Sequence, residues 1–146
     1  MNLSRVALAA IVAWIASFPF GYAVNDILLA GVTAPNLPVM RPIATIMGNL
    51  PIGFAGTLIA FFVVAYMYAK GYEGGSGVAE GFRFGLMLGI IVAGFGVTWV
   101  YVTYPVTAVY GAAIVVAVIV ELTIYGAIVG AIYKPAAVPN ARMPLT

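Results

Sequence analysis

The side chain best placed to do acid-base chemistry is Glu121, near the middle of an apolar run from Val106 to Lys134. A carboxylate at hydrocarbon depth has no water to solvate it, so it is protonated, paired or turned toward a polar cavity. Such residues are functional candidates by default. By residue count Trp14, Tyr66 and Thr98 share its depth as candidate partners, and Arg83 reaches it only by turning inward. The structural alternative is a protonated glutamate hydrogen-bonded to a tyrosine or a backbone carbonyl, holding helix register without turnover. Both readings stand at this level.

Other chemistry is thinly supplied. Histidine and cysteine are both absent, which removes thiolate and imidazole catalysis, disulfides, histidine ligation of haem and most zinc or copper sites. No cofactor and no metal are expected. An intramembrane enzyme acting on a lipid or quinone needs at least two converging polar groups, and Glu121 stands alone. The glycine-rich stretch Gly71-Tyr72-Glu73-Gly74-Gly75-Ser76-Gly77 invites comparison with a phosphate loop. Its lysine, Lys70, precedes the glycines and no strand leads into them, so the Walker pattern is not met.

Two sets of small residues are spaced for helix contact. Gly126 and Gly130 follow Glu121, and Gly81, Gly85, Gly89 and Ala93 form a ladder at four-residue steps. Small residues so spaced let helix backbones approach closely. Around a helix Gly126 lies about 140° and Gly130 about 180° from Glu121, so this helix has two specialised faces that both favour protein over lipid. In a closed four-helix bundle each helix turns one sector inward. That geometry puts Glu121 inside, gives the Gly81/Gly85/Gly89 ladder to contacts within the bundle, and leaves the Gly126/Gly130 ridge facing a neighbouring chain.

The elements carrying these residues follow from composition. The chain has 146 residues, 64% of them hydrophobic and 7% charged, with a mean hydropathy of +1.14. The surface of a water-soluble domain this size requires several times as many charges. The reading is an all-α membrane protein with four transmembrane helices. At about 20 apolar residues per span, they fall near residues 6–30, 50–69, 78–101 and 106–134. Residues 1–135 make one transmembrane domain and 136–146 a tail. The net charge of +2 reflects flanking lysines and arginines rather than a nucleic-acid surface.

Taken in order, the first apolar run is too long for a signal peptide and reads as a retained span, kinked near its middle by Pro19. Asn25 and Asp26 are expected at its far interface. Pro35, Pro38, Pro42 and Pro51 break the pattern between Gly31 and Asn49. That connection is expected to hold a short surface helix over Ile43 to Met47, before a new start at Asn49-Leu50-Pro51. Gly71 to Gly77 reads as a flexible turn, with Glu80 in the first turn of span three, where the helix dipole favours an acid. Trp99, Tyr101, Tyr104 and Tyr110 around Pro105 mark a membrane-water boundary. Four spans place Arg5, Lys70, Arg83, Lys134 and Arg142 on one side and Arg41 on the other. Both termini are therefore expected in the cytoplasm.

Between Tyr68 and Gly77, and on through Glu80-Gly81-Phe82-Arg83-Phe84-Gly85, the chain resembles a group of small bacterial four-span membrane proteins with no assigned activity. Glu121 and the ending from Gly126 to Pro135 fit the same likeness. The resemblance implies a bacterial inner-membrane setting and carries over no substrate, cofactor or catalytic residue.

The leading functional expectation is a non-catalytic membrane subunit, in a homo-oligomer or as an accessory piece of a larger membrane complex. Its partners are the lipid bilayer and itself or other membrane subunits, with no nucleic acid. The alternative is a small proton- or cation-coupled transporter using Glu121, by analogy with small multidrug transporters, which have four spans and one embedded glutamate. Those proteins carry the glutamate in the first span, and their dual-topology members lack a charge bias as strong as this one.

Overall fold

The computed structural model describes residues 1–135, and the tail after Pro135 lies outside them. All regular structure among these residues is helical. Four helical stretches are long and apolar enough to cross a membrane: Leu3–Leu28, Ile43–Lys70, Gly77–Thr103 and Ala108–Ile132.

The first begins with α1 (Leu3–Tyr22), capped by Asn2, whose side chain accepts from the Arg5 N–H. Pro19 sits inside α1, and the helix passes into a π-helical segment, Ala23–Leu28, that holds Asn25 and Asp26. A one-turn α2 (Ala30–Thr33) and a 3-10 segment (Ala34–Val39) lead to α3 (Ile43–Lys70). Here the expected surface helix and second start are corrected: α3 runs unbroken through Asn49 and Pro51 for 28 residues. At 1.5 Å per residue it is about 42 Å long, more than a hydrocarbon core needs, so its first turns have room outside it. The third stretch is α4 (Gly77–Val92), a π segment (Ala93–Val97) and α5 (Thr98–Thr103). The last is α6 (Ala108–Ile132), capped by Thr107, whose hydroxyl accepts from the Tyr110 N–H.

The packing is open rather than a closed square, and α3, besides lying on α1, reaches α6 where Phe61 meets Tyr125 and α4 where Tyr68 meets Phe84. One face of α6 lies along α4, another meets α1, and α1 in turn packs against α3. The core joins Val6, Ala9, Ala10 and Ala13 of α1, Phe61, Ala65 and Tyr68 of α3, and Tyr125, Val129 and Tyr133 at the end of α6. The alanine stripe of α1 brings its backbone close to its neighbours, and the aromatic rings fill what remains. The Tyr125 ring stands edge-on to Phe61 at 5.4 Å and to Phe20 at 6.0 Å between centroids.

The α4–α6 seam is made of glycine. A Cβ on Gly126 would stand 2.6 Å from the Gly85 Cα, one on Gly85 2.9 Å from the Thr123 Cα, and one on Gly89 2.8 Å from the Ile119 Cα. Gly77 and Gly130 meet backbone to backbone at the same seam. The ladder and the ridge expected to serve different interfaces therefore close on each other, and the outward Gly126/Gly130 ridge is corrected. The one-sector rule fails because α6 is a middle helix with protein on two faces. By contrast, a Cβ on Gly48, Gly53 or Gly56 of α3 would meet nothing within 4 Å.

Candidate functional site

Glu121 is the fourteenth residue of α6, half-buried, on the side away from the glycine seam. One carboxylate oxygen accepts from the Asn25 side-chain amide at 3.0 Å, and the other from the Tyr125 hydroxyl at 3.4 Å. The same Asn25 amide nitrogen also donates to the Gly21 carbonyl at 3.0 Å. The pair links α6 to the π segment that follows α1. A π turn carries an extra residue per turn and redirects the side chains that follow it; here it lies where Asn25 reaches Glu121.

The expected partners are elsewhere. The Trp14 indole N–H donates to the Thr57 hydroxyl at 3.2 Å, and the Thr98 hydroxyl donates to the Ala93 carbonyl at 2.8 Å. Tyr66 lies under the Lys70 ammonium, which stands 5.8 Å from its ring centroid. Arg83 is exposed at the end of the bundle that holds the turn 71–76. The true partners were visible as residue types. Tyr125 follows Glu121 by four, the spacing of neighbours on a helix face. Asn25 is corrected from an interfacial position: it lies beside the middle of α6, because residues 25–36 run on along the first half of that helix. Asn36 marks the end of this course. It is buried, donates to the Thr107 hydroxyl at 3.3 Å and accepts from the Thr107 N–H at 2.9 Å.

Asn25 is exposed, so the pair sits at the bundle surface. Next to it a groove of about 480 Å³ runs between Val24, Leu28 and Leu29 on one side and Ala112, Ala113, Val116, Ala117 and Val120 on the other. Val24 and Val120 directly precede Asn25 and Glu121 in the chain. The polar pair therefore borders an almost wholly apolar, alanine-floored trough.

At the opposite end of α6 the turn between α3 and α4 is pinned rather than flexible. Glu80 is buried, and its two carboxylate oxygens accept from the N–H groups of Gly75 and Glu73. The Tyr68 hydroxyl donates to the Gly77 carbonyl at 2.9 Å and the Tyr72 hydroxyl to the Gly75 carbonyl at 3.1 Å. Gly74 takes a positive φ of 91°, which a side chain rarely tolerates. Glu80→Ala is expected to destabilise the protein by about 0.5–1.5 kcal/mol for each of the two turn hydrogen bonds it removes. Hydrogen exchange should show faster exchange of the Glu73 and Gly75 amides in particular; unchanged rates at both would contradict the clamp.

Comparison with known protein families, curated proteins and solved structures finds no match. The fold by itself defines the class: among the described residues all regular structure is helical and four helices are long and apolar enough to cross a membrane, the architecture of a multi-pass membrane protein. Among the described residues no group of three or more carboxylates is gathered as a metal site.

Proposed function

We propose that the protein is a non-catalytic subunit of a membrane assembly, packing helix to helix against a second copy or another subunit within the bilayer. The observation that carries this reading is the Glu121–Asn25 pair, exposed on one side in mid-span beside an open apolar groove. In hydrocarbon such a pair is costly to leave uncovered, whereas a neighbouring helix seated in the groove shields it. Ala113 and Ala117 provide the small-x-x-x-small floor that lets a helix come close. This face replaces the Gly126/Gly130 ridge, whose small residues are already used within the chain. The five-to-one distribution of positive charge supports cytoplasmic termini, and the likeness to small four-span proteins supports a bacterial inner membrane.

The groove can be filled without disturbing the chain's own packing. Ala113→Leu with Ala117→Leu is expected to dissociate the assembly by crosslinking in native membranes while the spans stay inserted. Because the chain lacks cysteine, Val116→Cys gives a single reporter, expected to crosslink to the partner. Mixed copies carrying two different tags distinguish self-association from a different subunit. A double variant of unchanged assembly size, together with an uncrosslinked Val116→Cys, would refute the interface.

The second reading, a proton- or cation-coupled transporter, is favoured by the same carboxyl. Glu121 combines partial exposure with two hydrogen-bond donors, an arrangement that can hold a proton or exchange it for a cation. It differs from the first in requiring ionisation of Glu121.

A further inference from the structure

A second groove, of about 600 Å³, opens between the end of α3, the following turn and the start of α4. Its chemistry is graded along the helices. Glu73 and Arg83 are exposed at its rim, while Met67, Leu86 and Met87 form walls one helical turn further from the turn 71–76, with Phe84 between. Charged above and apolar below is the profile of the headgroup boundary. It also matches the profile of a phospholipid.

The charges narrow the choice of headgroup. Glu80 also faces the groove, but the backbone amides of Gly75 and Glu73 already occupy its oxygens. That leaves the Arg83 guanidinium as the cationic site and the Glu73 carboxylate as the anionic site. Two carboxylates against one guanidinium disfavour a lipid with net negative charge. A zwitterion can satisfy both open groups, its phosphate on Arg83 and its cationic end on Glu73. A primary ammonium has three N–H donors for a carboxylate; a quaternary ammonium has none.

We propose that this groove is a binding site for an ethanolamine phospholipid. The phosphate is held by Arg83, the ammonium by Glu73, and an acyl chain lies against Met67, Leu86 and Met87. The site would fill the wedge between α3 and α4 whichever polypeptide covers the Glu121 face.

The test uses the full chain in nanodiscs containing ethanolamine, choline or glycerol phospholipids with identical acyl chains, with lipid retention read by native mass spectrometry. The ethanolamine lipid is expected to be retained about fivefold over the other two, the effect of roughly one charge near the headgroup layer. Glu73→Gln should erase the preference over choline, and Arg83→Gln should weaken retention of all three. Both side chains are exposed, so circular dichroism and thermal unfolding of the variants should match the parent. Equal retention of the three lipids, preference for the glycerol lipid, or an ethanolamine preference that survives Glu73→Gln in a folded protein would each overturn the proposal.

Discussion

Gly126→Leu is expected to abolish the folded bundle, and Gly81→Leu to do the same from the other side of the seam. At Gly126 a Cβ alone would come within 2.6 Å of the Gly85 Cα and 2.8 Å of the Gly85 nitrogen. These are backbone atoms, which cannot move aside as the end of a flexible side chain can. Relief requires separating α4 from α6 along the seam, losing contacts between Gly77 and Gly89 on one helix and Ile119 and Gly130 on the other. Ordinary overpacking costs about 1–3 kcal/mol, and moving two backbones apart over several turns should exceed that range. Thermal unfolding in mild detergent is the measure. Gly53→Leu is the control, since a Cβ there meets nothing within 4 Å and its midpoint should stay near the parent's. A folded Gly126→Leu protein, dissociated but otherwise unchanged, would restore the outward ridge and contradict the seam.

The glycine spacing illustrates what the sequence disclosed and what it withheld. Steps of four at Gly81, Gly85 and Gly89, and at Gly126 and Gly130, announce close helix contacts because removing side chains along one face has few other uses in a span. Spacing does not say which face meets which, since any two glycine faces are complementary. An outward ridge follows only if each helix turns a single sector inward, whereas α6 is covered by α4 on one face and by α1 on another. The four spans were legible because runs this apolar and this long have few other solutions. The unbroken start of α3 was not: Asn49 and Pro51 carry the local signals of a new helix, yet Pro51 lies inside a helix already under way. Glu121 stood out by its type and depth. Asn25 did not, because counting residues along a straight helix placed it at an interface. The path of α2 and the 3-10 segment beside α6 depends on Asn36 reaching Thr107, a contact 71 residues apart in sequence that no local pattern encodes.

Glu121→Leu should destabilise the protein where Glu121→Gln does not. Leucine removes the acceptor for both the Asn25 amide and the Tyr125 hydroxyl, whereas glutamine keeps a carbonyl oxygen for Asn25 at nearly the same reach. Asn25 retains its bond to the Gly21 carbonyl, so the loss is one interhelical hydrogen bond and a weaker one within α6. Such bonds in membrane bundles are worth on the order of 1 kcal/mol. A double-mutant cycle isolates the pair: Asn25→Val should destabilise less in the Glu121→Leu background than in the parent, by a coupling of about 1 kcal/mol. Distant residues would add to within about 0.3–0.5 kcal/mol, and a coupling no larger than that would mean the pair contributes nothing to the fold. The same variants separate the two functional readings. A structural glutamate needs only an acceptor, so in the subunit reading Glu121→Gln assembles like the parent. A coupling glutamate must take up and release a proton or cation, which an amide does not do, so in the transporter reading Glu121→Gln folds, keeps the bond to Asn25 and loses pH-dependent ligand binding.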